Sequence, residues 1–220
     1  KGVKELIIIA QDITVYGLDL YKKQALAELI EKLSEVEGIE WIRLHYAYPL
    51  MFPTEVLHLM NSNPKLCKYL DIPLQHISDV LLNSMNRGHG KEDTIALLKQ
   101  IKTVIPDISL RTTFIVGYPD ETPTQFKELL EFIKEFKFDR VGAFPYSEEE
   151  GTSAADLKDS VSSMLKMRRL DELMAIQQEI SLERNELFIG KQLKVMVDSF
   201  EDGIYYACTE FDSPEVDNQV

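Results

Sequence analysis

Gln75 and His76, in the segment "DIPLQHIS", are the first residues whose side chains could do chemistry. The Gln75 amide could hydrogen-bond a ligand hydroxyl, because it carries both a donor and an acceptor. His76 could act as an acid, a base or a metal ligand. The alternative is that both residues satisfy backbone groups at the end of a strand, and for a single histidine we favour that interpretation.

The segment "IVGYPDET" is more informative about a ligand. Gly117 would let the backbone approach a ligand closely, and Pro119 fixes the turn. Glu121 and Thr122 open the next predicted helix, where a carboxylate suits the positive end of the helix dipole. Turn and cap chemistry alone would also explain these residues, and this alternative stays open.

Arg111 lies inside a strand that otherwise reads as buried, so we expect it to face a barrel interior and pair with a carboxylate. "AFPYSEEEGT" offers Tyr146 and Ser147, and we expect its run of three glutamates to be a solvated loop. The sequence contains no Gly-rich phosphate loop, no zinc signature and no recognisable Ser-His-Asp order.

These residues follow the ends of five predicted strands, and helical patterns fill every gap between the strands. Such alternation predicts a parallel sheet with helices outside, and sites in these folds form at the carboxyl ends of the strands. The predicted strands are residues 6–10, about 39–47, 68–74, "SLRTTFIVGYP" and "FDRVGAFPYS".

Cap residues set the predicted helix starts. Ser78 and Thr122 are N-cap candidates, and Pro123 suits a first helical position. A long amphipathic helix is predicted over about residues 161–188, with Gly190 after it. Two short strands about an Asp202-Gly203 turn then predict a small β appendage.

Composition limits the class of protein. The 220 residues carry 24 basic and 37 acidic side chains, a net charge of −13, which repels nucleic-acid phosphates and suits basic partners, although it could serve solubility alone. Cys67 and Cys208 have no metal-ligand spacing, and we expect Cys67 to be a core residue. No segment resembles a membrane span or a signal peptide, so we expect a soluble, cytoplasmic protein without a membrane partner.

Several motifs in order resemble the radical S-adenosylmethionine methylthiotransferases, and most closely the RimO-type branch, which modifies an aspartate of the twelfth small-subunit ribosomal protein. The resemblance covers nearly the whole chain. It rests on "LIIIAQDITVYGLDLY", "IEWIRLHYAYP", "YLDIPLQHISDVLLNSMNRG", "LRTTFIVGYPDET", "FDRVGAFPYSEEEGTSA" and "TEFDSPEVDN".

The resemblance implies an α/β fold, a six-stranded partial (β/α) barrel of the TIM-barrel-like radical-SAM type. Residues 1–188 would supply its second to sixth strands and closing helix, so its first strand would be missing. Residues 190–220 would form part of a small all-β TRAM-like domain, which helps to recognise the substrate. The cofactors implied are S-adenosylmethionine and two 4Fe-4S clusters, and the partners are a basic ribosomal protein as substrate, an electron donor and a sulfur source.

The resemblance also implies positions around the cofactor. Gln11 would meet its methionyl end and Gln75 its ribose. The adenine would lie against the ends of two strands. One strand end contributes Ile115, Val116 and Gly117, and the other contributes Phe144 and Tyr146.

The sequence departs from the family pattern in three places. It has no CxxxCxxC motif, whose three thiolates hold the radical cluster, so we expect no metal ligands in this sequence. We therefore expect the sequence to be a piece of a longer protein and to be inactive alone. Asp120 stands where the pattern has glycine. Ala207 and Cys208 stand where it has glycine and arginine.

Three alternatives remain. A tRNA-adenosine methylthiotransferase would share the barrel, but residues 191–220 hold two lysines against seven acidic residues, and this charge of −5 disfavours nucleic acid. A non-catalytic barrel module lacking clusters is the second alternative. An unrelated TIM-barrel enzyme that uses His76 with carboxylates at the sheet edge is the third.

Overall fold

The computed structural model describes residues 2–152 and 154–220. Five strands form one sheet in the order β1-β2-β3-β4-β5, and the registered pairs are parallel, which confirms the predicted α/β class. The strands are β1 (Glu5–Ile8), β2 (Trp41–Leu44), β3 (Leu66–Asp71), β4 (Ser109–Val116) and β5 (Arg140–Pro145).

At least one helix separates each pair of consecutive strands along the chain, as the alternating pattern predicts. The helices are α1 (Leu18–Tyr21), α2 (Leu26–Ser34), α3 (Thr54–Ser62), α4 (Asp79–Ser84), α5 (Lys91–Val104), α6 (Pro123–Phe136) and α7 (Ser163–Glu186). The predicted strand over 39–47 is too long: β2 ends at Leu44, and Tyr46 then takes a left-handed φ of 57°, which no regular strand accommodates.

The start of α6 follows its sequence signals closely. The Thr122 hydroxyl accepts the Gln125 N–H, and the Gln125 side chain accepts the Thr122 N–H, so the pair forms a capping box with Pro123 at the first position. Ser78 occupies the N-cap position of α4, as predicted, but its side chain makes no capping hydrogen bond there.

The chain divides into two compact units. The first unit consists of Lys1–Ile72, Leu98–Leu110 and Gly190–Val220, and the second of Pro73–Leu97 and Arg111–Ile189. The predicted division into domains 1–188 and 190–220 stays a prediction. No helix among the described residues is both long and apolar enough to cross a membrane.

Within the first unit, an antiparallel hairpin of β6 (Val195–Glu201) and β7 (Ile204–Thr209) turns at Asp202-Gly203, as predicted. Trp41, Cys67 and Tyr69 form a buried cluster against which Met196 of the hairpin packs. Cys67 is therefore a core residue, as expected. The fully buried Arg43 donates to the carbonyls of Thr209 and Glu210, so the hairpin end is tied to β2.

Within the second unit, β4 and β5 pair in register from Arg111↔Arg140 to Val116↔Pro145. Phe114 on β4 makes edge contacts with Phe132 of α6 and with Phe138, at centroid distances of 6.4 and 6.0 Å. This aromatic core fixes the two strands against α6, so the residues after both strand ends emerge side by side.

Candidate functional site

A cavity of about 510 Å³ opens at the carboxyl ends of β4 and β5, inside the second unit. That volume lies within the range of small-molecule sites, roughly 300–1,000 Å³. The position agrees with the rule that places sites at the carboxyl ends of parallel strands. Its lining comprises Gln75, Met85, Arg87, Thr113, Ile115, Tyr118, Phe144, Pro145, Tyr146, Ser147, Glu149, Thr152 and Ala154.

Gln75 reaches the cavity from a backbone that is bonded like a short strand. Its N–H donates to the Thr113 carbonyl and its carbonyl accepts the Ile115 N–H, both at 2.8 Å. Gln75 has a φ of 70°, a left-handed conformation that a non-glycine residue adopts only when its surroundings impose it. The two backbone bonds impose it here, and they place the Gln75 side chain in the cavity lining.

Aromatic rings form one wall of the cavity. Tyr118 and Tyr146 meet edge to face with centroids 5.2 Å apart, and Phe144 is 60% exposed. With Ile115 beside them, these surfaces suit a flat, partly apolar group such as a nucleobase.

Tyr146, which lines the cavity, carries a buried polar group in its hydroxyl. Its Oη is buried and has no hydrogen-bond partner among the described residues, which is costly unless a ligand supplies one. Burial raises the pKa of Tyr146, and the neighbouring Tyr118 and Glu148 raise it further, so the phenol stays protonated and can donate.

Gly117 lies behind the wall, outside the cavity lining. Its φ is 71°, its N–H donates to the Glu121 carboxylate, and a Cβ added to it would collide with the stem of Lys166. Close approach explains the glycine, but the approaching group is Lys166. Val116 is also buried behind the wall, where its carbonyl accepts the Tyr146 N–H at 2.8 Å and joins the two strand ends.

The cavity therefore brings together Gln75, Ile115, Phe144 and Tyr146 of the seven predicted cofactor residues. Val116 and Gly117 support it from behind. Gln11 belongs to the first unit, where it is exposed in the loop after β1, next to the Asp12 carboxylate that accepts the Thr14 N–H at 2.8 Å. The role of all seven residues in binding a cofactor stays a prediction.

A buried ionic cluster beneath the turn escaped the sequence analysis. The side chain of Glu121 is fully buried, and its Oε2 lies 3.1 Å from Arg169 Nη1 of α7. His76 Nε2 lies 3.6 Å from Glu121 Oε1, while His76 Nδ1 accepts the Ser78 N–H at 3.0 Å. His76 thus satisfies one backbone N–H, as the backbone interpretation expects, while its other ring nitrogen faces the Glu121 carboxylate.

The remaining sequence candidates lie nearby. Arg111 is partly exposed on β4, and the three glutamates 148–150 are exposed, as expected of a solvated loop. Glu149 nevertheless contributes to the cavity lining, together with Ser147. No local sequence signal marks Glu121 as a buried carboxylate, because its partner Arg169 lies on α7.

Residues 1–133 match the family model of the Radical SAM superfamily, which is more than half of the chain. The chain belongs to the Radical SAM superfamily. Its five-stranded parallel sheet with surrounding helices is the partial, TIM-barrel-like barrel of that superfamily. The coproporphyrinogen III oxidase HemN of Escherichia coli, a radical SAM enzyme, shares the fold, with a TM-score of 0.57, 20% identity, and coverage of 70% of this chain and 37% of that one.

Curated relatives are much more similar in sequence. The "Ribosomal protein uS12 methylthiotransferase RimO" of Christiangramia forsetii is 55% identical over the whole chain, which matches 49% of the relative's length. The protein of the same name from Bacteroides thetaiotaomicron is also 55% identical, with 51% of its length matched. The chain therefore spans about half the length of the curated relatives it matches.

Membership of the superfamily implies S-adenosylmethionine and a 4Fe-4S cluster, and the described residues fit the two groups differently. The cavity fits the adenosine part of S-adenosylmethionine, because it has an aromatic wall and a Tyr146 hydroxyl without a hydrogen-bond partner among the described residues. Burial raises the pKa of both Cys67 and Cys208 to about 12, whereas a cluster ligand must be a thiolate. No group of three potential metal ligands occurs among residues 2–152 and 154–220, so these residues do not fit a cluster.

Proposed function

We propose that this chain is the S-adenosylmethionine-binding part of a methylthiotransferase that modifies the β-carbon of an aspartate in ribosomal protein uS12. The observation that carries the proposal is the identity of 51–55% over the full chain to relatives named for that activity. The cavity at the strand ends supports it, since its size and walls suit an adenosine.

Different residues of the chain would bind different parts of S-adenosylmethionine. Ile115, Phe144 and Tyr146 would contact the adenine, with Val116 and Gly117 holding their backbones from behind, and Gln75 would hydrogen-bond the ribose through its amide. Gln11, in the first unit, would serve the methionyl end. When bound, S-adenosylmethionine supplies radical chemistry that can abstract hydrogen from an unactivated C–H bond. The apolar wall would exclude water from that chemistry.

The complete protein would use two 4Fe-4S clusters, an electron donor and a sulfur source, with the cluster ligands outside this chain. Residues 1–188 would form its barrel and residues 190–220 part of a TRAM-like domain. The net charge of −13, and of −5 over residues 191–220, favours a basic ribosomal protein over nucleic acid as the partner. A cytoplasmic location follows from that substrate.

The test uses the complete protein from which this chain comes. We would reconstitute it with iron and sulfide under anaerobic conditions, then incubate it with S-adenosylmethionine, a sulfide source, a reductant and purified uS12. Mass spectrometry of uS12 peptides is expected to find one methylthio group on an aspartate. A reconstituted protein without the colour of a cluster would contradict the proposal. So would a protein that cleaves S-adenosylmethionine but leaves uS12 unmodified.

The same assay separates the alternatives. A tRNA-modifying enzyme would leave uS12 unchanged and bind tRNA in a strongly salt-dependent way, because phosphate contacts release counterions. A non-catalytic barrel module would neither acquire the absorbance of a cluster nor cleave S-adenosylmethionine.

A further inference from the structure

Lys166 occupies an unusual place for a lysine. It is only 6% exposed, and it lies in the first turns of α7, where its N–H donates to the Ser162 carbonyl. Lysine is almost never buried unless it is paired, and a cation near a helix N-terminus opposes the helix dipole. Its burial therefore requires partners for the ammonium group, and its place near the helix N-terminus indicates that these partners and not the α7 dipole hold it there.

The stem of Lys166 fills the space that Gly117 leaves open. A Cβ built on Gly117 would lie 3.1 Å from the Lys166 Cβ and closer still to its Cγ. The methylene groups of the lysine therefore pack directly on the backbone at the end of β4, as the apolar stems of long charged side chains commonly do. Any larger residue at position 117 would push the lysine out.

The ammonium group of Lys166 reaches the end of β5. Its Nζ donates to the Tyr146 carbonyl at 3.0 Å, lies 2.5 Å from Asp159 Oδ2, and sits 4.8 Å from the centre of the Tyr146 ring. Charge-assisted hydrogen bonds of this kind are short and about twice as strong as neutral ones. One side chain thus holds both the backbone and the ring of a residue that lines the cavity.

The same contacts anchor the loop that closes one side of the cavity. Ser147, Glu149, Thr152 and Ala154 of this loop contribute to the lining, and the loop reaches Lys166 through Asp159. The end of β4, Tyr146 and Asp159 therefore all contact one lysine, although Lys166 itself lies outside the cavity lining.

We infer that Lys166 is a positioning residue for the cofactor: it sets Tyr146 and, through Asp159, the end of the loop after β5 against the end of β4, and so shapes the adenosine pocket. The inference rests on the proposed use of this cavity for S-adenosylmethionine. It assigns Lys166 no contact with the cofactor. Its effect is expected in cofactor affinity and not in the rate of the bound complex.

The test measures S-adenosylmethionine and S-adenosylhomocysteine binding to the complete protein by equilibrium dialysis, beside steady-state kinetics. Lys166→Met keeps the apolar stem over Gly117 and removes the charge, so both the dissociation constant and KM for the cofactor are expected to rise about tenfold, with kcat within about twofold. Lys166→Arg, which keeps a donor, should recover most of the affinity. Asp159→Asn should weaken binding about threefold, since the Asp159 side chain is 35% exposed and solvent screens its charge.

Lys158→Met is the matched control, because Lys158 is an exposed lysine of the same loop, and its removal should leave affinity unchanged. A merely structural lysine would lower the unfolding temperature of Lys166→Met without changing the cofactor affinity of the folded protein, and that result would overturn the inference. Equal affinity in wild type and Lys166→Met overturns the inference alone. A wild-type protein that binds no S-adenosylmethionine overturns the proposed function and the inference together.

Discussion

Asp120 and Ser160 bind each other through two hydrogen bonds across forty residues of sequence. The Asp120 N–H donates to Ser160 Oγ at 2.9 Å, and the Ser160 hydroxyl donates to Asp120 Oδ1 at 2.8 Å. Asp120 has a φ of 63°, a conformation that glycine adopts without strain and that aspartate tolerates better than most residues. The second hydrogen bond offsets the strain, which explains how aspartate is accommodated at this left-handed position.

This relationship predicts unequal losses of stability for two small substitutions. Asp120→Ala keeps the left-handed strain and loses the carboxylate bond, so the free energy of unfolding should fall by about 1–2 kcal/mol. Asp120→Gly loses the same bond but relieves the strain, so it should stay within about 0.5 kcal/mol of wild type. Urea unfolding measures both. Equal losses in the two variants would contradict this account of Asp120.

Local signals made part of the fold predictable. Thr122, Pro123 and Gln125 specify the start of α6 through contacts within four residues, and Asp202-Gly203 specifies the hairpin turn in the same way. The location of the cavity followed from topology, because the carboxyl ends of parallel strands share one edge. Four of the residues that line it, Gln75, Ile115, Phe144 and Tyr146, were expected from the family resemblance.

The surroundings of three site residues could not be predicted, because they depend on contacts between residues far apart in the sequence. Glu121 reads as a helix-start carboxylate, and only Arg169, forty-eight residues later, makes it a buried ion pair. Gly117 signals a close approach but not that Lys166 is the approaching group. Gln75 takes its left-handed backbone from hydrogen bonds to β4, which no local propensity encodes.

The buried pair of Glu121 and Arg169 gives a second prediction. Glu121→Gln preserves the shape of the side chain but leaves the Arg169 guanidinium, whose side chain is 4% exposed, without its counter-charge. A buried charge without a partner is strongly destabilising, so the free energy of unfolding should drop by about 3–5 kcal/mol in denaturant titrations.

Two further variants test that interpretation. Glu128→Gln breaks the more exposed pair with Lys91, where solvent screens both charges, and should cost about 1 kcal/mol or less. Removing both charges in Glu121→Gln/Arg169→Met should recover part of the stability lost in the single variant. A double variant as unstable as the sum of its single variants would mean that the pair is not coupled.

Arg43 supports a third prediction, within the first unit. Its Nε donates to Glu5 Oε1 at 2.7 Å and its Nη1 to the Glu210 carbonyl at 2.8 Å, from a side chain that solvent does not reach. Arg43→Met removes the hydrogen bonds to the carbonyls at the end of β7. Amide hydrogen exchange over residues 204–217 is therefore expected to accelerate by at least about tenfold, a larger increase than in β1.

Arg43→Lys should restore only part of the protection, because an ammonium cannot reproduce the fork of the guanidinium. Lys194→Met is the control: Lys194 makes an exposed pair with Glu40 near the same Trp41 ring, and its loss should leave exchange unchanged. Unaltered exchange in Arg43→Met would argue against Arg43 as the anchor of the hairpin.

The two buried thiols give a prediction about alkaline pH. Burial raises the pKa of Cys67 from 9.0 to about 12 and that of Cys208 likewise, so each thiol stays protonated in the folded protein while it ionises in the unfolded chain. A raised folded pKa contributes stability that is complete below pH 9 and is lost as the pH rises toward 12. Each thiol should therefore reduce the free energy of unfolding by up to about 1.4 kcal/mol per pH unit in that interval.

Urea unfolding of wild type, Cys67→Ala and Cys208→Ala at pH 8, 9 and 10, with reductant present, isolates this effect. Each alanine variant carries a constant penalty for lost packing, which is the same at every pH. The gap between wild type and each variant should shrink from pH 9 to pH 10, because only wild type retains the additional thiol that ionises on unfolding. A gap that stays constant over this interval would mean that the thiol ionises as readily in the folded protein as in the unfolded chain, and that burial does not raise its pKa.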